Sequence, residues 1–145
     1  MTQPDPHASF ADVDMLTAAL GHVFAPWVRE LDLRVLQARV GEVTLALPVT
    51  AQHVHEGGVL CGQTKMAACD TAMVLAVMTR LGGFKPMTTV QLQTSFLRPV
   101  SGASGVVHVV ARVLRMGRSL VFGEMQVINA DAELAAHATT TYALL

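Results

Sequence analysis

Hydrophobic residues recur along the chain at two different spacings, helical in some stretches and alternating in others. Between Met15 and Phe24 an apolar side chain returns every three or four residues, which predicts a short amphipathic N-terminal helix. Asp12 or Asp14 is suited to cap the start of this helix, and Pro26 would end it.

Two alternating stretches follow, and they predict half-buried strands because side chains two residues apart share one face of a strand. The first runs from Leu31 to Val35 and the second from Val43 to Leu47. A glycine-containing loop from His53 to Gly62 then leads into a predicted helix from Gln63 to about Leu81. This helix is rich in Met, Ala and Leu, and Gly82 directly after it is a typical helix stop.

The remainder of the chain predicts strands only. Four segments combine β-branched residues with alternation and are separated by turns: Val90 to Phe96, Val106 to Arg115, Leu120 to Ile128 and Leu134 to Tyr142. One long helix followed by an unbroken antiparallel meander predicts an α+β fold in which a curled sheet wraps around the helix. No repeat or linker interrupts residues 1–145, so we expect a single domain with residues 1–10 flexible.

Composition adds that the chain is unusually apolar, since 52% of its 145 residues are hydrophobic and 14% are charged. These values exclude intrinsic disorder, and a net charge of −1 argues against a general nucleic-acid binder. No apolar run approaches the roughly 18 residues of a membrane-spanning helix, and the first residues lack the pattern of a signal peptide. We therefore expect a cytoplasmic protein that buries its surplus apolar surface in a homo-oligomer.

The two cysteines agree with a cytoplasmic location. Cys61 and Cys69 fall at the start and in the first half of the predicted long helix. Eight helical residues span roughly 12 Å, which is too far for a disulfide. We expect both thiols to be reduced.

Asp70 is the one carboxylate in the predicted long helix. On a helical wheel, five apolar residues lie within about 60° of it: Met66, Met73, Val74, Val77 and Leu81. Burying a carboxylate costs free energy unless the group is paired, and no basic residue lies three or four positions away. Asp70 is either a structural residue satisfied by a neighbouring group or a functional carboxylate in a dry cleft. The missing basic neighbour favours the second.

The start of the same helix is a second candidate site, because its first N–H groups have no partner within the helix. The amides of Gly62 and Gln63 could polarise a carbonyl oxygen. Asp70 lies roughly 10 Å further along the helix axis, so one helix cannot present both groups to one reacting carbonyl. A two-fold dimer with antiparallel helices could bring Asp70 of one subunit to Gly62 of the other.

These residues stand in a pattern that resembles the hot-dog fold thioesterases, specifically the phenylacetate-pathway (PaaI-like) branch. That branch carries Asn-x-x-Gly-x-x-His-Gly-Gly followed by an Asp seven residues later. The same spacing here is His55-x-x-Gly58-x-x-Cys61-Gly62-Gln63 and then Asp70. Two further segments match the branch's Phe-Leu-Arg-Pro strand end and its Gly-Lys/Arg hairpin: Phe96 to Pro99 and Arg115 to Ser119.

The resemblance implies hydrolysis of an acyl-CoA thioester. Asp70 would be the general base or nucleophile, the amides of Gly62 and Gln63 would polarise the carbonyl, and Thr89 would orient the water. His55 stands where the family has Asn and would orient the water or the leaving group. No metal or cofactor is implied, and CoA enters as part of the substrate. The residues implied to bind it are Gly58, Cys61, Phe96, Arg98, Arg115, Met116, Gly117, Arg118 and Ser119.

The charge distribution agrees with an anionic carrier. Between Thr71 and Gly123 there is no acidic residue, whereas six basic residues occur: Arg80, Lys85, Arg98, Arg112, Arg115 and Arg118. Arginine suits the phosphates of CoA, and Arg118 followed by Arg115 is the first choice for such contacts. The alternative for any one of these residues is a solvated arginine on a sheet edge.

Other kinds of site fit the sequence poorly. The spacing of His53, His55, Cys61 and Cys69 matches no closed zinc motif, and no Gly-x-Ser-x-Gly nucleophile elbow exists. Two hypotheses stay open: an acyl-CoA thioesterase, or a non-hydrolytic protein that binds acyl-CoA or another small ligand on the same fold. In both, we expect a homodimer, with a homotetramer formed by stacking of two dimers as the larger possibility.

Overall fold

A computed structural model describes residues 11–145, so the expected flexibility of residues 1–10 lies outside the described residues. Within this range, three α-helices and six strands follow one another. In chain order they are α1 Val13–Leu20, α2 Pro26–Arg29, β1 Arg34–Arg39, β2 Glu42–Pro48, α3 Gly62–Leu81, β3 Met87–Phe96, β4 Val106–Met116, β5 Leu120–Ile128 and β6 Leu134–Leu144. A single 3₁₀ turn, Ala51–His53, precedes α3.

The six strands form one antiparallel sheet in the order β1-β2-β4-β5-β6-β3. The 20-residue α3 packs on the concave side of this sheet, mainly against β4, β2 and β5. Alternating residues of the inner strands, such as Val43, Leu45 and Leu47 in β2, are fully buried against it. The predicted α+β architecture, a sheet wrapped around one long helix, is confirmed.

Helix α3 has the bounds that its sequence predicts to within one residue. Cys61 is its N-cap residue, and Gly82 ends it in the left-handed conformation at φ 76°. Glycine suits this position because it lacks the Cβ atom that makes a positive φ costly. Cys61 and Cys69 are both free thiols, as expected.

Two predicted boundaries near the N-terminus are wrong. The first helix ends at Leu20, and Pro26 begins the short helix α2 instead of ending α1. Proline is favoured at a first helical position because that residue's missing N–H would have had no partner. The first strand begins at Arg34 and not at Leu31, since Asp32 adopts a left-handed φ of 54° that interrupts the extended chain. Asp12, one of the two predicted caps, does cap α1.

Strand β3 lies at an edge of the sheet and pairs only with β6 in the described part of the chain. Its pairing is irregular between Thr89 and Gln91. Although the alternation around Val90 and Phe96 predicts a buried face, these side chains are 59% and 48% exposed. The physical reason is that α3 packs mainly against β4, β2 and β5 and scarcely against β3, so the helix does not cover these side chains.

Candidate active site

The Asp70 side chain lies between α3 and two strands that come from distant parts of the sequence. The Thr89 hydroxyl of β3 donates to Asp70 Oδ1 at 3.1 Å. The Tyr142 hydroxyl of β6 lies against the same carboxylate oxygen and 3.0 Å from the main-chain oxygen of Asp70. Thr89 therefore lies beside Asp70, and two hydroxyl groups take the place of a basic partner.

Tyr142 is a site residue that the sequence interpretation missed. Only 2% of it is exposed, and burial together with the neighbouring Asp70 carboxylate raises its pKa well above the usual value. The phenol therefore stays protonated and acts as a hydrogen-bond donor. The available signal was that this is the only tyrosine in the chain and that it lies in the predicted closing strand.

Asp70 does not lie in the centre of the buried face of α3. The side of the helix opposite Asp70 is the one fully buried against the sheet, through Ala68, Ala72, Leu75 and Thr79. Of the five apolar residues expected around Asp70, two are buried and three are half-buried: Met73 and Val77, and Met66, Val74 and Leu81. The sheet of this chain covers the opposite side, so the Asp70 side remains open.

A cleft of about 120 Å³ opens beside Asp70, between α3 and the N-terminal segment that contains α2. Most of its lining is apolar: Phe24, Trp27, Val28, Ala67 and Val74, with Thr71 and Asp70 as the polar members. Sequence interpretation placed none of the α2 residues in the site, because the short helix itself was not predicted. The cleft thus places mainly apolar side chains beside the Asp70 carboxylate.

The N-terminus of α3 carries the other predicted group of residues. A Cβ atom at Gly62 would approach the Phe96 ring to 3.2 Å, so the ring lies directly on the first helical residue. Glycine permits this close contact. Gln63 is exposed next to it. Since Gly62 and Asp70 are eight residues apart, roughly 12 Å along the helix, one chain does not bring them together.

The loop before α3 is held by its own polar groups. The Gly57 amide donates to His55 Nδ1 at 2.9 Å, so the His55 ring turns toward its own loop. Gly58 adopts a φ of 78°, which glycine tolerates without strain. Cys61 Sγ lies 3.0 Å from the Thr64 hydroxyl, which in turn lies 3.3 Å from His53 Nδ1.

The basic residues divide into paired and unpaired groups. Arg112 pairs with Glu42 at 2.7 Å and with Glu124 at 3.2 Å, because these residues are directly opposite one another on adjacent strands. Arg98 pairs with Glu133 at 3.3 Å. Acids from outside the acid-free stretch therefore neutralise part of its positive charge, including that of Arg98, one of the predicted CoA-binding residues.

Arg115 and Arg118 remain exposed and form no ion pair with any residue of the described range 11–145. Arg115 lies near the end of β4, and Arg118 lies in the turn to β5 together with Gly117 and Ser119. The Gly117 amide closes this hairpin by donating to the Leu120 oxygen at 2.8 Å. Arg80 and Lys85 are likewise exposed and form no ion pair in the same range, so Arg115 and Arg118 are two of four basic residues of this stretch that are free to bind an anion.

Two classes of feature are absent from the described residues. In residues 11–145, no three His, Cys, Asp or Glu side chains gather where they could hold a metal ion. None of the helices described is both long and apolar enough to cross a membrane.

The sequence matches a known protein family and known relatives. The family model of the thioesterase superfamily matches residues 52–136, which include the loop, α3 and most of the sheet. A protein of Thermoplasma volcanium, named as a candidate esterase, is 31% identical over 73% of this chain and 77% of its own length.

Solved structures agree on the fold. The E. coli PaaI protein from the phenylacetic acid degradation operon superposes with a TM-score of 0.80 at 16% identity, covering 95% of both chains. A thioesterase of Haemophilus influenzae superposes with a TM-score of 0.81 at 20% identity, covering 92% of this chain and 90% of that one. Likenesses at this level of identity establish the hot-dog fold. Since the family model covers more than half of the sequence, the chain belongs to the thioesterase superfamily, as a PaaI-like hot-dog protein.

Proposed function

We propose that this protein hydrolyses acyl-CoA thioesters to a free acid and CoA, with Asp70 as the residue that activates water or attacks the carbonyl. The observation that carries the proposal is the state of the Asp70 carboxylate. Oδ1 is held by the Thr89 and Tyr142 hydroxyls, while Oδ2 accepts no hydrogen bond from a residue that the structure describes. A carboxylate with one anchored and one free oxygen, beside an apolar cleft, is suited to act on a bound substrate.

As a general base, Asp70 takes a proton from water while the water oxygen bonds to the thioester carbon. The carbonyl π electrons then reside on the carbonyl oxygen. When these electrons re-form the carbon–oxygen double bond, the carbon–sulfur bond breaks. The CoA thiolate leaves and recovers the proton from Asp70, so the products are a carboxylic acid and the CoA thiol.

As a nucleophile, Asp70 instead bonds to the carbonyl carbon and displaces the CoA thiolate, which gives a mixed anhydride that water hydrolyses. Oxygen from labelled water enters the Asp70 side chain only by the nucleophilic route, when water attacks the anhydride at the Asp70 carbonyl. Label found in Asp70 by mass spectrometry after turnover in ¹⁸O water would therefore establish that route.

The proposal requires two subunits, because the amides of Gly62 and Gln63 are too far from Asp70 within one chain. We place the α3 N-terminus of one subunit against Asp70 of its partner, where the amides polarise the carbonyl oxygen. The exposed apolar residues of edge strand β3, Val90 and Phe96, support a homodimer because a second copy would cover them. The free thiols agree with a cytoplasmic location.

The substrate's two ends fit different surfaces. The cleft beside Asp70, with Phe24, Trp27 and Val74, offers an apolar wall for the acyl group. The unpaired arginines Arg115 and Arg118 offer positive charge for the CoA phosphates. Arg98 contributes less than expected in this proposal, because Glu133 already occupies its guanidinium.

The test is release of free thiol from a panel of short, branched, aromatic and long acyl-CoAs. We expect turnover with at least one acyl class and a loss of at least about 100-fold in kcat for Asp70→Asn, since the amide cannot accept the proton. Cys61→Ala is the matched control and should keep most of the activity. Turnover that survives Asp70→Asn would contradict the role of Asp70.

A second candidate is a protein that binds acyl-CoA without hydrolysing it. It is favoured by the two replaced family residues, because His55 is turned toward its own loop and Cys61 contacts Thr64. This alternative predicts saturable binding, no thiol release, and nearly unchanged affinity in Asp70→Asn.

A further inference from the structure

Lys65 is a buried cation in the first turn of α3, where the thioesterase pattern places no required residue. Only 4% of the residue is exposed. Its ammonium carries three donors, yet it makes no hydrogen bond or ion pair with any residue in the described part of the chain. A buried charge without a partner is costly, so its retention calls for a ligand or a reaction that uses it.

The Lys65 ammonium lies beside the N-terminus of α3. Its Nζ is 5.5 Å from the centre of the Phe96 ring, and the same ring covers Gly62, the first helical residue. Helical side chains lean toward the N-terminus, which directs the Lys65 side chain to the first turn. The Lys65 ammonium and the first amides of α3 therefore both contribute positive charge to the space at the N-terminus of this helix.

The Phe96 ring gives Lys65 a cation–π contact, but no anionic group among the described residues compensates its charge. The first turn of α3 contains no acidic residue. The titratable groups nearest to Lys65 on the helix are the thiols of Cys61 and Cys69, and His53 follows through Thr64. From the sheet, β3 contributes the Phe96 ring, and Thr94 two residues earlier on the same face has a buried hydroxyl oxygen without a partner among residues 11–145.

We propose that Lys65 stabilises the negative charge that develops on the thioester carbonyl oxygen at the N-terminus of α3. The inference rests on the proposed hydrolysis and adds a residue to it. When water or Asp70 of the partner subunit bonds to the carbonyl carbon, the π electrons move to the oxygen. The positive field of Lys65 and the helix amides lowers the energy of that state.

Lys65 also offers a physical reason why the site tolerates Cys61 in the place of the family's His. Lys65 lies one helical turn beyond Cys61, so both project from nearly the same side of α3. The chain thus keeps a positive charge close to the helix start although the family's histidine is missing.

The kinetic test compares Lys65→Met and Lys65→Arg with the wild-type protein on the best acyl-CoA of the panel. We expect Lys65→Met to lower kcat by about 100-fold with little change in KM, as removal of one stabilising donor does elsewhere. Lys65→Arg should keep much of the activity because it retains the charge. Lys85→Met, which removes the only other lysine, is the control because Lys85 is exposed.

The pH dependence gives a readout that a merely structural role would not move. Burial lowers the pKa of Lys65 from its usual 10.5. Activity should therefore fall on the alkaline side as Lys65 loses its proton, and this limb should be absent in Lys65→Arg, which stays charged. Measurement in a Cys61→Ala background removes the neighbouring thiol as a source of the limb. An unchanged alkaline limb in Lys65→Arg would overturn the proposal.

Substrate variation separates Lys65 from two other anion-binding roles. Thioesters of pantetheine lack the phosphoadenosine part of CoA, and acyl groups with a terminal carboxylate add a charge at the far end. The effect of Lys65→Met should be equal for all of these substrates. An effect confined to the CoA forms would assign Lys65 to the phosphates, and one confined to carboxylated acyl groups would assign it to the acyl group; either result contradicts the proposal.

A binding measurement keeps this inference separate from the proposed function. S-carboxymethyl-CoA and S-propyl-CoA are thioethers that cannot be hydrolysed, and only the first places a negative charge next to the sulfur. We expect Lys65→Met to weaken the binding of S-carboxymethyl-CoA by about 10- to 100-fold and to change the binding of S-propyl-CoA little. Equal weakening would refute the role of Lys65 even if hydrolysis is intact, whereas absence of turnover with every thioester would refute hydrolysis and, with it, the proposed step.

Discussion

At the scale of single residues, the environment of Asp70 decides what its carboxylate can do. Tyr142 and Thr89 both contact Oδ1. They fix the rotation of the carboxylate, since both hydroxyls contact the same oxygen. We propose that they position Asp70 and do not react with the substrate themselves.

Tyr142→Phe and Thr89→Ala should therefore lower activity without abolishing it. Each removes one hydrogen bond to a charged group, so we expect kcat to fall by about 10-fold in each variant. Steady-state thiol release at neutral pH measures the effect.

Thr88→Ala is the matched control for Thr89→Ala, because Thr88 is exposed and points to the other side of β3. It should leave kcat unchanged. An unchanged kcat in Tyr142→Phe would show that this hydroxyl does not position Asp70.

The residues of the site differ in how far sequence could identify them. Asp70 stands out because it is an unpaired carboxylate among apolar neighbours, and Thr89 follows from the family resemblance. Tyr142 is 72 residues away from Asp70 along the chain, so only the register of β6 brings them together. The pairing of Arg98 with Glu133 likewise depends on the meeting of two loops, which no local pattern reveals.

At the scale of elements, the charge of Lys65 makes an unfavourable contribution to the stability of α3. A lysine in the first helical turn opposes the helix dipole, and its burial disfavours the charged form. In this proposal, Lys65 favours catalysis but lowers the stability of the folded protein.

Lys65→Met should make the protein more stable, by on the order of 1 kcal/mol at neutral pH. Because the folded-state pKa of Lys65 lies below 10.5, folding carries the full cost of its charge below that folded pKa. The cost disappears as the pH rises from the folded pKa to 10.5. The gain from Lys65→Met should thus shrink with rising pH, as denaturant unfolding between pH 7 and pH 10 would measure.

Lys85→Met again serves as the control, and its stability relative to wild type should not vary in this way. A destabilised Lys65→Met at neutral pH would mean that the ammonium has a stabilising partner, which contradicts the picture of an uncompensated cation.

The elements themselves were largely predictable, with exceptions that have local causes. Helix α3 and strands β4 to β6 follow directly from apolar spacing, glycine stops and turn residues. Strand β1 begins later than its alternation suggests because Asp32 takes a left-handed conformation. The short helix α2 escaped prediction because its four residues are too few to show a period.

At the scale of the whole molecule, we propose that the two halves of the site lie on different chains of a dimer. In such an assembly each of the two sites combines Asp70 of one subunit with Gly62 and Lys65 of the other. The exposed edge strand β3 is the surface that would join them.

Subunit mixing tests this arrangement. Asp70→Asn and Lys65→Met should each be nearly inactive, but a mixed dimer would contain one site with both wild-type residues. Unfolding and refolding equal amounts together should restore about a quarter of wild-type activity, since half of the dimers are mixed and half of their sites are intact. Thiol release after refolding measures the recovery.

Each variant refolded alone is the control and should regain no activity. Sedimentation at micromolar concentration should show a dimer or a larger even assembly for every protein. A monomer, or mixtures no more active than their components, would rule out a site shared between subunits.

The position of β6 in the sheet also has a consequence for how the chain matures. Strand β3 comes before β4 and β5 in the sequence. Among residues 11–145, however, it pairs only with β6, which is synthesised after the other five strands. The same late strand brings Tyr142 to Asp70. During synthesis, neither the pairing of β3 nor the contact between Tyr142 and Asp70 can therefore form until β6 has emerged from the ribosome. Much of the packing between α3 and the earlier strands can form before that point.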